Sequence, residues 1–570
     1  VESFSLSTDL DPEQLRAAPT DLPTVGVTVD ESAPSQRQDI PDAENRYEAL
    51  LAQDPANPSA LHQLSLLRLR RGAFEEAVPL LERLIERHPD FFDAHNNLGV
   101  ALQRLKRPAE AAPQFEKAIE LEPNRPEAHY NLGQARQSLG RPVEARECYE
   151  RAIALRPEYA EAHNSMGVLL TQKDPELALA AFRRAIAARP AYADAHNNMG
   201  IALHGLGRYE EAVASYQQSL AFRPDHADCY NNLGLALRSL NRHEEALRCF
   251  DLAQVIKPDH VEAQLGEGLV RLALGDYAVG WKKYAWRHLT ANFSGGKRRP
   301  AQPLWLGNWD ISDKTILLHG EQGLGDTIMF ARYVPLVAQR GAKVILAVQR
   351  PLAAVMATLE GASVIRAQGE PVPPFDGFCP LPTLPLAFRT SVETIPADIP
   401  YLSAPADRLA KWQPVLQALA RPRVGLMWAG ATSPMYRRSI PLRLLLPILQ
   451  LREFSFVALQ KEVLKEDVPL LDSTGMATFL GERQSDLADT AAMIELLDLV
   501  ITIDTSIAHL AGAMGRPTWV LLPFSTDWRW MRDRRDNPWY PTARLFRQPA
   551  PGDWASVATE VRSALRTFAF

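Results

Sequence analysis

Two short segments carry polar residues in an order suited to chemistry on a charged substrate. The first, HGEQGLGDTIMFARYVP (319–335), follows an apolar run and opens a helical stretch, which sets Gly323, Gly325 and Asp326 at a strand-to-helix turn. Ligands of parallel α/β sheets bind at such carboxyl edges. The glycine order is neither G-x-x-x-x-G-K-[ST] nor G-x-G-x-x-G, and KVILAVQR (343–350) does not end in an acidic residue, so a dehydrogenase is disfavoured. What remains is one carboxylate at a helix start, fit for general-base work if Asp326 faces a second half across a cleft, with a helix N-cap as its structural alternative. The second segment, IDTSIAHLAGAMGRPTWVLL (503–522), reads as strand, turn, helix and strand. Asp504, Thr505 and Ser506 stand where free N–H groups and the helix dipole favour a phosphate, and His509 follows about one turn later. The alternative for His509 is a satisfied core histidine.

Further loops of the same half offer supporting groups. Trp428, Ala429 and Gly430 end the run VGLMWAG, Arg437 and Arg438 follow soon after, and Gln460 and Lys461 end FSFVALQ. The cations would neutralise leaving phosphates or reach a ribose; a solvated surface role is the alternative for Arg437, Arg438 and Lys461. The stretch 523–548 mixes tryptophans and tyrosines with arginines, but Asp527, Asp533 and Asp536 offset the charge a nucleic-acid platform needs. It is expected to pack as an interdomain or acceptor-side loop.

These segments must be positioned by a sheet. The β-rich runs TILLHG (315–320), KVILAV (343–348), VGLMWAG (424–430), FSFVALQ (454–460), LVITID (499–504) and TWVLLP (518–523) are separated by helical stretches. That alternation predicts parallel sheets with crossover helices. The proline-rich segment 371–405 is expected to separate two Rossmann-like halves, at 314–405 and 406–570.

The first half of the chain has a fixed period. Ser65, Gly99, Gly133, Gly167, Gly200, Gly234 and Gly268 lie 34 residues apart except for one step of 33, and Pro55 through Pro258 keep the same spacing. The shorter step falls near TQKDPE (171–176), between helices, where length variation is tolerated. Two positions before the glycine column stand Gln63, Asn97, Asn131, Ser165, Asn198 and Asn232. A row of amides with donors and acceptors can clamp an extended peptide backbone; alternatively it bonds neighbouring helices to each other. Residues 1–42 are rich in polar residues and proline and are expected to be a flexible leader, with 43–292 a solenoid of about seven repeats and 293–313 a linker.

The unit with AHNNLG (94–99), AHYNLG (128–133) and AHNNMG (195–200) resembles the tetratricopeptide repeat over about residues 45–290. Its amide column is similar to that of the O-GlcNAc transferases, which implies an acceptor-protein groove at Asn97, Asn131, Asn198 and Asn232. DTSIAHLAGAMGRP and GLGDTIMFARYVP resemble the donor signature and the N-terminal G-D motif of heptosyltransferase-like GT-B glycosyltransferases, over roughly 303–568. Ser506 stands where that family usually has glycine. The fold implied is a multi-domain chain, an all-α TPR solenoid followed by an α/β GT-B-like pair, with 314–405 as the acceptor half and 406–570 as the nucleotide-sugar-binding half. The resemblance implies an inverting glycosyltransferase of a bacterial TPR type with Asp326 as base, a nucleotide-sugar as substrate, no cofactor and no metal. The acceptor is expected to be a protein hydroxyl, flagellin among the candidates. Glycan or lipopolysaccharide-type transfer and a non-catalytic scaffold stay open, as do ADP-heptose, UDP-GlcNAc and CMP-nonulosonate as donors.

Composition bounds the rest. At 570 residues the chain predicts about four structural units. Its 46% hydrophobic and 23% charged residues are ordinary for globular proteins. No apolar run approaches the ~18 residues of a membrane helix. A net charge of −6 disfavours general nucleic-acid binding. Four cysteines without a C-x-x-C pair fit neither a zinc site nor a disulfide framework, and with no secretory signal visible a cytoplasmic location is expected.

Overall fold

The computed structural model describes residues 40–290, 300–321, 323–430, 438–474 and 477–569. The expected leader lies outside them apart from its last residues. Two compact units divide at Ala236/Leu237.

Helix pairs repeat along 58–284. Each first helix, such as Phe92–Arg104, Pro126–Ser138 and Ala193–Gly205, is followed by a partner such as Pro108–Leu121, Pro142–Leu155 and Tyr209–Phe222. Proline opens several of these helices at positions where its missing N–H costs nothing. At Gly99, Gly133, Gly167 and Gly200 of the glycine column an aromatic ring from the partner helix fills the space of the side chain, and at Gly268 Lys283 and the backbone of Tyr284 do so. A Cβ at Gly133 would lie 2.6 Å from Tyr149, and one at Gly167 would lie 2.5 Å from Phe182. The 33-residue step is absorbed as expected: the helix Ala160–Leu170 is short, and Asp174 caps its successor.

The second unit contains the last helix pairs and an α/β region with two parallel sheets. The first sheet holds β1 (Thr315–His319), β2 (Lys343–Val348), β3 (Ala362–Ala367) and β4 (Gly377–Pro380) in the order β3-β2-β1-β4. The second holds β5 (Arg423–Met427), β6 (Ser455–Ala458), β7 (Ala477–Phe479), β8 (Leu499–Ile503), β9 (Thr518–Leu522) and β10 (Ala543–Arg547). Its order is β10-β9-β8-β5-β6-β7. Counted from β5 this is 3-2-1-4-5-6, the order of doubly wound nucleotide-binding sheets, whose switch point lies between the first and fourth strands. Strands buried along their whole length, such as β8 and β9, read as continuous apolar runs for that reason.

Two expected connectors do more than connect. Within 371–405, β4 pairs with β1. Within 300–313, Trp305 is fully buried, and its backbone N–H donates to Phe378 O at 2.9 Å.

Candidate functional site

The loops singled out by sequence sit at the switch points. In the first sheet the order reverses between β1 and β4, and the β1 loop leads through Gly323 into the helix Leu324–Ala331. In the second it reverses between β5 and β8, whose following loops carry Trp428 to Gly430 and Asp504 to Ser506. Thr505 caps the helix Ser506–Ala513, its hydroxyl accepting from Ile507 N at 3.3 Å.

These two helices meet. A Cβ at Gly325 would lie 2.6 Å from His509 Cδ2, so only glycine admits the imidazole at this crossing. Tyr540 shares a hydrogen bond of 3.0 Å with His509 Nδ1, and Trp530 stacks on the ring at 5.4 Å. Burial, helped by the charge of Arg529, lowers the His509 pKa to about 3, so the ring is neutral at physiological pH. Arg332 braces the same junction from within its core, donating to Trp539 O at 2.7 Å and to Tyr401 Oη at 3.1 Å.

Around this contact lies a charged cluster. Asp326 is half-buried in the first turn of its helix, and Arg529 Nη2 stands 2.5 Å from its Oδ1. Arg529 Nη1 is 2.6 Å from Asp527 Oδ1, and its guanidinium lies 4.5 Å over Trp528. Burial raises the Asp326 carboxyl above the ordinary range while Arg529 opposes the rise. For Asp527 burial acts upward too, but Arg529 and Arg438 outweigh it and hold the group low. Arg438 pairs with Asp504 at 3.0 Å; burial nevertheless leaves Asp504 raised. One largely buried cluster thus joins Asp326, Asp504 and His509 from the sequence reading with Arg529 and Asp527.

The remaining sequence-derived residues divide. The side-chain oxygen of Gln460 accepts from Trp428 N at 3.0 Å and from Ala429 N at 2.9 Å, so Gln460 shapes the β5 loop. Trp428 is fully buried and donates through Nε1 to Asp467 at 2.8 Å, which fixes that loop from beneath. Gly430 N donates to Ser439 Oγ at 3.1 Å. Lys461 is exposed, and Arg437 lies outside the described residues. Of the amide column, Asn131 donates to Asn96 at 3.0 Å, Asn198 to Asn164 at 3.1 Å and Asn232 to Asn197 at 3.1 Å, each tying its helix to the preceding repeat. Asn97 is buried. In the first unit a cavity of about 380 Å³ is lined by Arg104, Tyr130, Asn131, Gln134, Ser165 and Tyr192, among others.

Sequence reasoning passed over Arg529 and a second buried arginine, Arg287. Arg287 grips Glu321, ahead of the glycine turn, through Nη2 at 2.7 Å and Nε at 2.9 Å, and donates to Thr383 Oγ1 at 2.8 Å in the loop after β4. Both arginines follow a tryptophan in aromatic segments, AWRH and DWRW, and that flanking was the available signal.

Residues 35–77, 62–128, 126–159 and 191–254 match tetratricopeptide repeat families. Repeats of this kind imply protein partners. Protein FlbA of Caulobacter vibrioides is 29% identical over 333 residues, which cover 54% of this chain and 55% of FlbA. The chain therefore spans about half the length of this curated relative. Among solved structures, YrrB, described as a TPR protein with an unusual peptide-binding site, is 26% identical. The match covers 32% of this chain and 95% of YrrB, with a TM-score of 0.28. MamA from Desulfovibrio magneticus RS-1 is 25% identical, covering 30% of this chain and 96% of MamA, also with a TM-score of 0.28. Among the described residues no helix is long and apolar enough to cross a membrane.

Proposed function

We propose that the chain is a glycosyltransferase moving a sugar from a nucleotide-sugar to a hydroxyl of a protein held by its repeats. The reading is carried by one observation: the Gly325–His509 contact brings the turn bearing Asp326 against the helix that starts at the second sheet's switch point. The N-terminus of Ser506–Ala513, with Arg438 and Arg529 nearby, offers a diphosphate N–H donors and positive charge. In this reading Asp326, across the same junction, takes a proton from the acceptor hydroxyl. The oxygen then attacks the anomeric carbon as the bond to the departing phosphate breaks. Inversion of that carbon, independence from metal and flagellin as an acceptor belong to the reading through the GT-B and TPR resemblance.

The experiment pairs nucleotide binding with intact-mass detection. Wild type is screened by thermal shift against ADP-, UDP-, GDP-, dTDP- and CMP-linked sugars, and the donor that binds is incubated with acceptor proteins. Asp326→Asn should keep donor binding and lose transfer by about 10²-fold or more, the scale of general-base catalysis. Equal transfer by the variant would remove the base assignment, and no binding by any donor would remove the reading. A binding-only scaffold has one observation in its favour, the engagement of Asp326 by Arg529. Donor binding without transfer by wild type would select it.

A further inference from the structure

Arg529 is shared by two carboxylates through different nitrogens: Nη1 holds Asp527 at 2.6 Å and Nη2 holds Asp326 at 2.5 Å. It is anchored independently of Asp326. Asp527 also caps the turn Trp528–Trp530 by accepting from Arg529 N at 3.1 Å, and the guanidinium rests on Trp528. Asp326 has less freedom, because its helix is fixed by the close approach of Gly325 to His509. In the pair, the arginine can move one hydrogen-bonding arm while the carboxylate stays.

The charge balance supplies a reason to move it. Three carboxylates, Asp326, Asp504 and Asp527, share two cations, Arg438 and Arg529, with His509 neutral beside them, so Arg529 is already divided between two partners. A diphosphate entering this region is a stronger, bidentate competitor for guanidinium than a single carboxylate oxygen. Arg529 can give Nη2 to the phosphate and keep Asp527 on Nη1.

We propose that Arg529 is a donor-operated latch on Asp326: without nucleotide it occupies the carboxylate, and a bound diphosphate draws the guanidinium away and frees the base. The inference rests on the nucleotide-sugar reading. It makes binding ordered, donor before acceptor. It also gives Arg529 two tasks in one step. The acceptor proton passes to Asp326, the acceptor oxygen bonds to the anomeric carbon, and the electron pair of the broken carbon–oxygen bond leaves on the diphosphate beside Arg529.

Freeing Asp326 has a protonic consequence. The groups facing it are Arg529 and Asp527 from the loop after β9, Glu321 from its own loop, and Tyr284 and Arg287 from the end of the helical stack. Glu321 is tied to Arg287. When Arg529 turns to a phosphate, Asp326 loses its cation and gains an anionic neighbour, so its proton affinity rises. Nucleotide binding then takes up a proton at mildly acid pH, and affinity strengthens as pH falls through that range.

Isothermal titration calorimetry at about pH 5.5, in two buffers of different ionisation enthalpy, reads that uptake directly. The probes are ADP, UDP, GDP and dTDP, each carrying the diphosphate, against wild type, Asp326→Asn and Arg529→Gln. Wild type should take up several tenths of a proton more than Asp326→Asn, and Arg529→Gln should bind about tenfold or more weakly. Equal uptake by wild type and Asp326→Asn overturns the latch whatever Arg529→Gln does, while the nucleotide binding leaves the site reading standing. If no nucleoside diphosphate binds wild type, the latch and the diphosphate site fall together.

Discussion

His509 is held neutral by its surroundings, and this makes it a pH liability for the fold. The unfolded chain takes up a proton on an imidazole below about pH 6.5, whereas the buried ring resists it down to about 3. Its contribution is therefore complete above pH 6.5, is lost as pH falls through that value and levels off below about 3. Between pH 7 and 5 the loss is about 2 kcal/mol. Urea melts followed by tryptophan fluorescence should show that increment in wild type and a correspondingly flatter pH dependence in His509→Gln. An unchanged pH dependence in the variant would mean that the ring is protonated in the folded state. The motif DTSIAH was legible because its residues are contiguous and Asp504, Thr505 and Ser506 suit a helix start, with Thr505 as the cap. Arg529 was not: an arginine among aromatics reads equally as a surface cation, and only the fold sets it beside Asp326, distant in sequence.

Among the elements, the repeat helices were the most legible, because glycines such as Gly99, Gly133, Gly167 and Gly200 answer an aromatic ring and the pairing recurs with near-fixed period. Two glycines of one helix, Ala193–Gly205, separate packing from propensity. A Cβ at Gly200 would lie 2.5 Å from the ring of Tyr216, itself almost fully buried, whereas one at Gly205 would meet nothing within 4 Å. Gly200→Ala should destabilise the first unit by about 1–3 kcal/mol through overpacking. Gly205→Ala should be neutral or raise stability by up to about 1 kcal/mol. Thermal melts of the two single variants decide this, and equal effects would show that the solenoid yields to the methyl group. Four strands escaped sequence reading for a related reason. β4 and β7 span only Gly377–Pro380 and Ala477–Phe479, and β3 and β10 carry arginines, so none forms the apolar run that announced the others. Their place in the sheets comes from pairing with β1, β6, β2 and β9.

At the scale of the molecule, the repeat count and the α/β alternation suggest cutting the chain in the stretch after residue 290, yet the packing argues for an earlier cut. Trp281 packs at 5.2 Å from Trp528 and donates through Nε1 to Thr390 O at 3.0 Å, and Tyr277 accepts from Trp539 Nε1 at 3.0 Å. Arg287 holds Glu321 at the head of the glycine turn. A chain starting at 293 would expose the faces of Trp528, Trp539 and Phe330 and leave Glu321 buried without its cation, a loss of about 3–5 kcal/mol from the ion pair alone. That exceeds the margin many domains have once the lost aromatic contacts are added. A chain of residues 226–570 keeps the last helix pairs with the region they support. It should express as a monodisperse protein with one cooperative unfolding transition, while 293–570 should aggregate or melt without cooperativity. The arms are separable by size-exclusion chromatography and calorimetry on both fragments. If 293–570 folds as well as 226–570, the terminal helices only adjoin the α/β region. If it fails, the turn that presents Asp326 owes its shape to the end of the repeat array, and partner binding on those last helices has a direct mechanical path to the proposed base.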